Sequence, residues 1–395
     1  MNSISLINKV KYNKTLYSIY NKLGSIAINC LRCFIRPNEN LIVFSCFGGR
    51  KYDDSPKAIF EQMIHDKRFD KYEIVWAFIY PQKYKLPRAK VIQIDTLRYY
   101  KTLLQARVWI TNSGMTRGLS FWGKHTFLLN TWHGTPIKLM GVDKTNNHNN
   151  RKTERSEYAD IMLAQGSYEV DIFSRVFGIK KDNFRIIGLP RNDELYNNDN
   201  KEYRDDLKKK FNISSDKKVI LYAPTFREFK RDKDENCVFL PPINMMKWKQ
   251  ELADNYVLLF RAHYEVVKNM DIVDDGFVIN VSNHPHLNDL MLMSDLLISD
   301  YSSIFFDYSI LGRPMLCFAY DFDEYANKRG LYFDIRKELT CCSITNEDSL
   351  LEYIKSLNYI EQSKVTLDFR EKYVKVYGNA SQQSLDVILQ AVNNS

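Results

Sequence analysis

Three short stretches of this sequence combine residue types that can move protons or hold phosphate. Asn130-Thr-Trp-His-Gly-Thr-Pro136 follows an apolar run, so His133 falls at the C-terminal end of a strand. An imidazole there can take a proton from an attacking hydroxyl near neutral pH. Gly134 lets a substrate approach the backbone closely. Thr135 is placed to cap a helix that has Pro136 at its first position. The competing reading is a buried histidine that only ties down the turn; the strand-end context favours chemistry. The second stretch, Arg261-Ala-His263, also follows an apolar run, and both side chains could reach a phosphate. In the third, Ile298-Ser-Asp-Tyr-Ser-Ser-Ile304, a strand runs into a hydroxyl-rich turn and a helix. Free N–H groups and the positive dipole end there suit a pyrophosphate, although Asp300 and Ser302 could simply cap. Asp321-Phe-Asp323 has the D-x-D form of a divalent-metal clamp, a spacing common by chance, and no metal is expected.

These stretches need a scaffold that brings strand ends together. After Pro37 the sequence alternates short apolar runs with helical patterns. The runs are Leu41–Cys46, Glu73–Phe78, Lys90–Ile94, Arg107–Ile110, Thr126–Asn130, Asp160–Ala164 and Phe184–Ile187. A second set comprises Lys218–Ala223, Tyr256–Phe260, Phe277–Val281, Leu296–Ser299 and Pro314–Phe318. This alternation predicts an α/β fold of two parallel, doubly wound halves, with a ligand near the C-terminal strand ends. Ser55-Pro56 reads as the cap and first turn of a helix, and Tyr196–Lys210 as a polar linker with a short helix. The expected division is an arm over 1–36, domains over 37–200 and 201–375, and a last segment over 376–395. No G-x-G-x-x-G, Walker A or G-x-S-x-G motif occurs, which argues against dinucleotide enzymes, P-loop kinases and α/β-hydrolases.

The chain has 395 residues, a net charge of +8 and 45% hydrophobic residues, an ordinary globular composition. Six of the eight net charges lie before Glu39, the first acidic residue: Lys9, Lys11, Lys14, Lys22, Arg32 and Arg36. A nearly neutral body speaks against a nucleic-acid-binding fold. In the arm, Leu16, Tyr20, Leu23, Ala27, Cys30, Leu31 and Phe34 form a helical apolar stripe. Its longest uncharged stretch, Leu23–Leu31, is far short of the ~20 residues that span a bilayer. A cationic amphipathic helix in the interface of an anionic leaflet fits better, the rival being a helix packed on the body or in a dimer. The seven cysteines include Cys30-x-x-Cys33 and adjacent Cys341-Cys342, without the pairing of a disulfide framework or a zinc site.

In order and spacing the motifs resemble those of the CDP-glycerol glycerophosphotransferase family of teichoic acid and capsule synthesis. The resemblance includes Tyr52–Lys57, Trp132–Pro136, Gly188–Asp193, Tyr222–Arg227, Arg261–His263, Asp295–Tyr320, Arg329–Asp334 and Tyr377–Ser381. It implies a GT-B-type fold, two Rossmann-like domains facing across a cleft, with the C-terminal helix crossing back to the first. It implies transfer of glycerol phosphate, or ribitol phosphate, from CDP-glycerol or CDP-ribitol to a hydroxyl of a lipid-linked acceptor, releasing CMP. The family's proposed base matches His133 and its second histidine matches His263, followed here by Tyr264 where proline is frequent. Arg261, Ser299, Asp300, Ser302, Ser303, Thr225 and Arg227 fall on the donor side, and Gly134 and Thr135 on the acceptor side. The resemblance also implies no obligatory metal and a peripheral place on the cytoplasmic leaflet, with a homo-oligomer left open. The chain has the length of a primase with an extender-like W-H-G-T-P. Two rival readings are a GT-B glycosyltransferase, told apart by UDP rather than CMP release, and an inactive membrane-bound scaffold that binds no donor.

Overall fold

The computed structural model describes residues 13–144, 159–227, 229, 240–262, 274–340 and 344–393. The chain divides into two compact units, one of Met1–His133, Asn147–Arg191 and Asn379–Ser395, the other of Gly134–Asn146 and Asn192–Gly378.

The first unit is built on seven parallel strands: β1 (Asn38–Ser45), β2 (Glu73–Phe78), β3 (Ala89–Gln93), β4 (Ala106–Thr111), β5 (Phe127–Asn130), β6 (Ile161–Ala164) and β7 (Phe184–Ile186). Their order is β3-β2-β1-β4-β5-β6-β7, with Phe44 opposite both Trp76 and Ile110. Leu41–Ser45 and all of β4 are buried without alternation, as expected when helices cover both faces of a parallel sheet. Phe44, Trp76 and Phe78 stack in series at 5.1 and 5.5 Å. The helix Asp54–Met63 adds Ile59 and Phe60 to this core, and the last helix, Ala380–Asn393, adds Leu385 and Ile388, all fully buried. The cap of Asp54–Met63 is Asp53, whose carboxylate accepts from Asp54 N. Ser55, expected at that position, lies inside the first turn because the helix starts two residues earlier, after a turn with Asp54 at φ +59.

The arm forms a helix over Lys14–Phe34, started by Asn13, whose side chain accepts from Thr15 N and Leu16 N. It lies on the first unit with its polar side inward. Asn29 donates to Ser120 O at 2.8 Å, Ser120 N donates to Ser25 Oγ at 2.8 Å, and Arg32 donates to Trp122 O. A Cβ on Gly24 would stand 2.9 Å from Leu119 Cδ2, so a side chain there would have to push that leucine aside. The apolar stripe points away, with Leu23 63% and Phe34 85% exposed and Leu16, Ile19 and Ile26 also in solvent. Of the two readings of the arm, the structure shows the helix packed on the body, with its apolar stripe left outside. No helix among the described residues is long and apolar enough to cross a membrane.

The second unit carries five parallel strands: β8 (Lys218–Tyr222), β9 (Tyr256–Phe260), β10 (Val278–Asn280), β11 (Leu296–Ser299) and β12 (Met315–Cys317). Their order is β10-β9-β8-β11-β12. Most of the stretch read as a linker is helix, Asp193–Asn197 and Lys201–Lys210. Its polar side chains serve the unit: Tyr203 donates to Asp289 at 2.9 Å, and Arg204 pairs with Asp295 at 2.5 Å. No helix follows Pro136, contrary to expectation. The chain from Gly134 runs extended, bridges Lys138 to Leu331, and bonds Leu139 N to Gly330 O and Tyr332 N to Ile137 O. Thr135 is 1% exposed; pairing with 330–332 replaces the helix it was expected to cap.

Candidate active site

In the first unit the strand order reverses between β1 and β4, and in open α/β sheets the ligand crevice lies outside the strand ends at such a point. The loops after these strands are tied together by Asn112 and Ser113. Asn112 Oδ1 accepts from Phe47 N at 2.8 Å, and Ser113 Oγ accepts from Gly48 N at 2.9 Å. Phe47, Gly48 and Gly49 have φ of +48, +62 and +81. Two glycines make this left-handed run affordable, since only Phe47 pays the Cβ penalty. A side chain on Gly49 would also press on Ala77 O and Ile79 N at 3.2 Å.

His133 joins the same crevice. Its Nδ1 lies 2.7 Å from Asn112 O. A carbonyl can only accept, so Nδ1 carries the proton and Nε2 keeps its lone pair. The ring stacks on Trp132 at 4.1 Å and meets the Phe47 ring edgewise at 5.6 Å. The imidazole surface is open to solvent, yet the protein around it strips enough water to hold its pKa below the ordinary 6.5. The Asn112 bond and the Asp54 charge act the other way, and Arg191 adds to the depression. Asp54 and Arg191 form a largely buried pair at 3.3 Å. The histidine is thus neutral at pH 7, with one nitrogen fixed as donor and the other free to take a proton. Trp132 and Asp54 have φ of +50 and +59, so strained backbone gathers around this ring, as it often does at functional sites.

In the second unit the order reverses between β8 and β11, which puts Ala223–Arg227 and Ser299–Ser303 beside the switch point. Asp300 ties the two loops, its Oδ1 accepting from Thr225 N at 2.8 Å and Tyr301 N at 2.7 Å. Ser299 Oγ donates to Ala223 O at 2.6 Å. Ser302 Oγ accepts from Ile304 N, opening the short helix Ile304–Ser309. Ser302, Ser303 and Thr225 are partly exposed, whereas Ser299 and Asp300 are buried. Gly134 comes in from the other loop: a Cβ there would lie 3.0 Å from Ser303 Oγ.

Arg227 is placed differently from the expectation that it touches a donor. It is fully buried, its guanidinium pairing with Asp300 at 2.9 Å and Asp321 at 2.8 Å and donating to Thr225 O. The Tyr301 and Tyr325 rings lie 4.9 and 4.8 Å away, and Tyr301 donates to Asp321 at 3.0 Å. Burial opposes the charge, but the two carboxylates hold the guanidinium firmly protonated. Arg227 is a post beneath the two loops, and it engages the first carboxylate of the D-x-D. Arg261 donates to Val281 O at 3.1 Å and His284 O at 2.8 Å, holding the loop after β10. His263 and Tyr264 lie outside the described residues.

Residues that sequence reading missed are Asn112, Ser113 and the Phe47–Gly49 run; Asp54 and Arg191 lie in the motifs Tyr52–Lys57 and Gly188–Asp193 but were given no role there. The two glycines directly after an apolar strand were the visible signal.

The family model described as CDP-Glycerol:Poly(glycerophosphate) glycerophosphotransferase matches residues 28–390. A teichoic acid glycerol-phosphate transferase of Staphylococcus aureus is 33% identical over 371 residues, covering 89% of this chain and 93% of that protein. A teichoic acid poly(glycerol phosphate) polymerase of Staphylococcus epidermidis is 35% identical over 366 residues, 88% of this chain but 50% of the polymerase. The solved structure of the wall teichoic acid polymerase TagF superposes with a TM-score of 0.82 at 31% identity, covering 98% of each chain. With a parallel α/β sheet in each unit and a family match across nearly its whole length, the chain belongs to the CDP-glycerol:poly(glycerophosphate) glycerophosphotransferases, and is a transferase of that family.

Proposed function

We propose that the protein transfers glycerol phosphate from CDP-glycerol to a hydroxyl of a lipid-linked acceptor in teichoic acid or capsule synthesis, releasing CMP; CDP-ribitol is the alternative donor. The observation that carries this reading is the 2.7 Å contact from His133 Nδ1 to Asn112 O, which leaves Nε2 as a base. The acceptor O–H gives its proton to Nε2 as its oxygen bonds to the distal phosphorus. The anhydride P–O bond breaks, and the electron pair leaves on CMP. Developing charge on the phosphates is met by the N–H groups and hydroxyls of Ser302 and Ser303 and by Thr225, with Arg261 and, from the family resemblance, His263. Asp300, Ser299 and Arg227 hold that turn in place. Gly134 and Thr135 serve the acceptor side. The finer GT-B reading, with the two units acting as facing halves upon one substrate, is part of this proposal.

The arm supports a peripheral place on an anionic membrane surface. Leu16, Ile19, Leu23, Ile26 and Phe34 offer apolar surface that is otherwise wetted, and each nearby Lys or Arg contributes about 1 kcal/mol on an anionic leaflet. The cytoplasmic leaflet follows from the donor, a nucleotide made inside the cell.

The test is to incubate the protein with CDP-glycerol and with CDP-ribitol separately, with a lipid-linked acceptor, and to weigh the products by mass spectrometry. His133→Ala should lower turnover by about 10²–10⁴, the usual worth of a general base. Undiminished turnover in that variant removes His133 from the mechanism.

A further inference from the structure

A cavity of about 1000 Å³ lies in the first unit between the arm and the body. Its walls are Asn29 and Arg32 of the arm, much of the loop 116–127, Arg107 at the start of β4, and Asp160. β4 runs from Arg107 to the threonine before Asn112, the residue that holds His133. At roughly 3.3 Å per strand residue, that length is about 17 Å, so the Arg107 end of the cavity is remote from the crevice.

The protein does not use all the polar groups of this cavity. Thr116 is 4% exposed, yet its hydroxyl has no partner among the described residues. Arg32 donates one N–H to Trp122 O, while its Nε is buried and also without a partner among them. Buried donors and acceptors are rarely left so unless a bound group meets them. Two acids reach the cavity, and both are occupied. Glu39 pairs with Arg107 at 3.1 Å, and Asp160 accepts from Leu128 N at 2.7 Å. Arg107 spends its remaining N–H groups on His125 O, Ala391 O and Val392 O. Three cations, Arg32, Arg107 and Lys124, therefore stand against two acids, and Arg32 and Lys124 have no carboxylate partner among the described residues. Lys124 is exposed at the mouth. Arg32 bonds the carbonyl two residues before it, so one anion is within reach of both. The apolar stripe of the arm comes up to this rim: Ile26, 60% exposed, stands three residues from Asn29 and so beside it on the helix surface.

We propose that this cavity holds the phosphate head group of an anionic membrane lipid. Arg32 and Lys124 take the phosphodiester, the Thr116 hydroxyl bonds a polar group of the head, and the acyl chains lie along the exposed stripe. The chemistry of the walls is that of a site for a phosphate ester; the stripe at the rim is what favours a lipid over a free phosphate. The proposal rests on the reading of the arm as a helix at a membrane surface and adds recognition of one head group, where scattered charge would only sense an anionic leaflet. A phosphate bridging Arg32 on the arm and Lys124 on the body also fastens the arm in place.

The probe is dihexanoylphosphatidylglycerol below its micelle concentration, titrated calorimetrically into the full chain. Saturable one-to-one binding is expected. Lys124→Gln and Arg32→Gln should each weaken it about 10- to 100-fold, the worth of one charge-assisted contact, and Thr116→Val about 2- to 10-fold. Lys124→Gln alters an exposed side chain, so it keeps the test open if a change at Arg32 loosens the arm; circular dichroism and the thermal midpoint show which variants are folded. Glycerol 3-phosphate and inorganic phosphate should bind about 10-fold or more weakly than the lipid, since they lack chains for the stripe. No saturable binding, or binding that the folded variants leave unchanged, overturns the proposal, and equal affinity for glycerol 3-phosphate overturns the lipid assignment. Failure of the underlying reading looks different. A chain that binds the short lipid but does not sediment with phosphatidylglycerol vesicles keeps the cavity's role and loses the membrane reading. One that sediments but shows no saturable binding of the short lipid does the reverse.

Discussion

Replacing Arg227 by Met removes the cation from a chamber that keeps both of its acids. The guanidinium is fully buried, and Asp300 and Asp321 are 2% and 9% exposed. Met matches the length of the lost stem but leaves two carboxylates facing Tyr301, Tyr320 and Tyr325. Breaking a buried ion pair from one side costs about 3–5 kcal/mol, and here two partners are orphaned, so the upper end of that range is expected at pH 7. The sign of the pH response follows. In the variant, a proton taken up by either orphaned carboxylate removes an uncompensated buried charge, so acid relieves the loss. The deficit relative to wild type should therefore shrink between pH 7 and pH 5. Urea unfolding followed by tryptophan fluorescence at both pH values reads it, since Trp248 is buried in the same unit. CDP-glycerol binding should weaken as well, because Asp300 is the tie between the 225 and 300 loops. An Arg227→Met variant as stable as wild type at pH 7, or with a deficit that grows on acidification, refutes the reasoning.

Other outcomes can be checked as directly. The acid limb of kcat/KM should lie below pH 6.5, because protonated His133 cannot accept a proton and its pKa is held down; Asp54→Asn should move the limb lower still and Arg191→Gln higher, read from pH–rate profiles. Gly134→Ala should weaken donor binding, since its methyl would stand 3.0 Å from Ser303 Oγ; calorimetric titration with CDP-glycerol shows it, and a wild-type constant would mean the serine yields freely. Leu23→Asp and Ile26→Asp, both on the exposed stripe, should reduce sedimentation with anionic liposomes while leaving the thermal midpoint in place. Ile28→Asp, on the face against the body, should lower that midpoint.

Strands were legible where burial makes apolar runs: Glu73–Phe78, Tyr256–Phe260 and Leu296–Ser299 are bounded as the sequence suggests, because parallel strands covered on both faces carry little else. Helices were less so. Thr135-Pro136 has the local grammar of a helix start, yet pairing with 330–332, nearly two hundred residues on, prevails over it. Tyr196–Lys210 reads as a linker with only a short helix because the partners of Lys201–Lys210, Asp289 and Asp295, lie far along the chain, one in a helix and one just before β11. His133 was visible from its strand end, but what tunes its ring was not. Asn112 lies in none of the motifs, and Asp54 and Arg191 lie in two of them, but only the folded chain brings all three to His133. Arg227 shows the opposite failure: an arginine in a donor-side motif suggests contact with phosphate, and only the folded chain shows both acids already holding it.

The lock on His133 uses a main-chain oxygen, while the hook on Phe47 uses the amide of the same residue, Asn112. The two duties are therefore separable by mutation in one direction only. Changing the residue type at 112 releases the loop after β1, yet every amino acid offers the same carbonyl to the imidazole. The side chain at 112 is therefore open to change over evolutionary drift, while the carbonyl that fixes the imidazole tautomer stays whatever residue stands there.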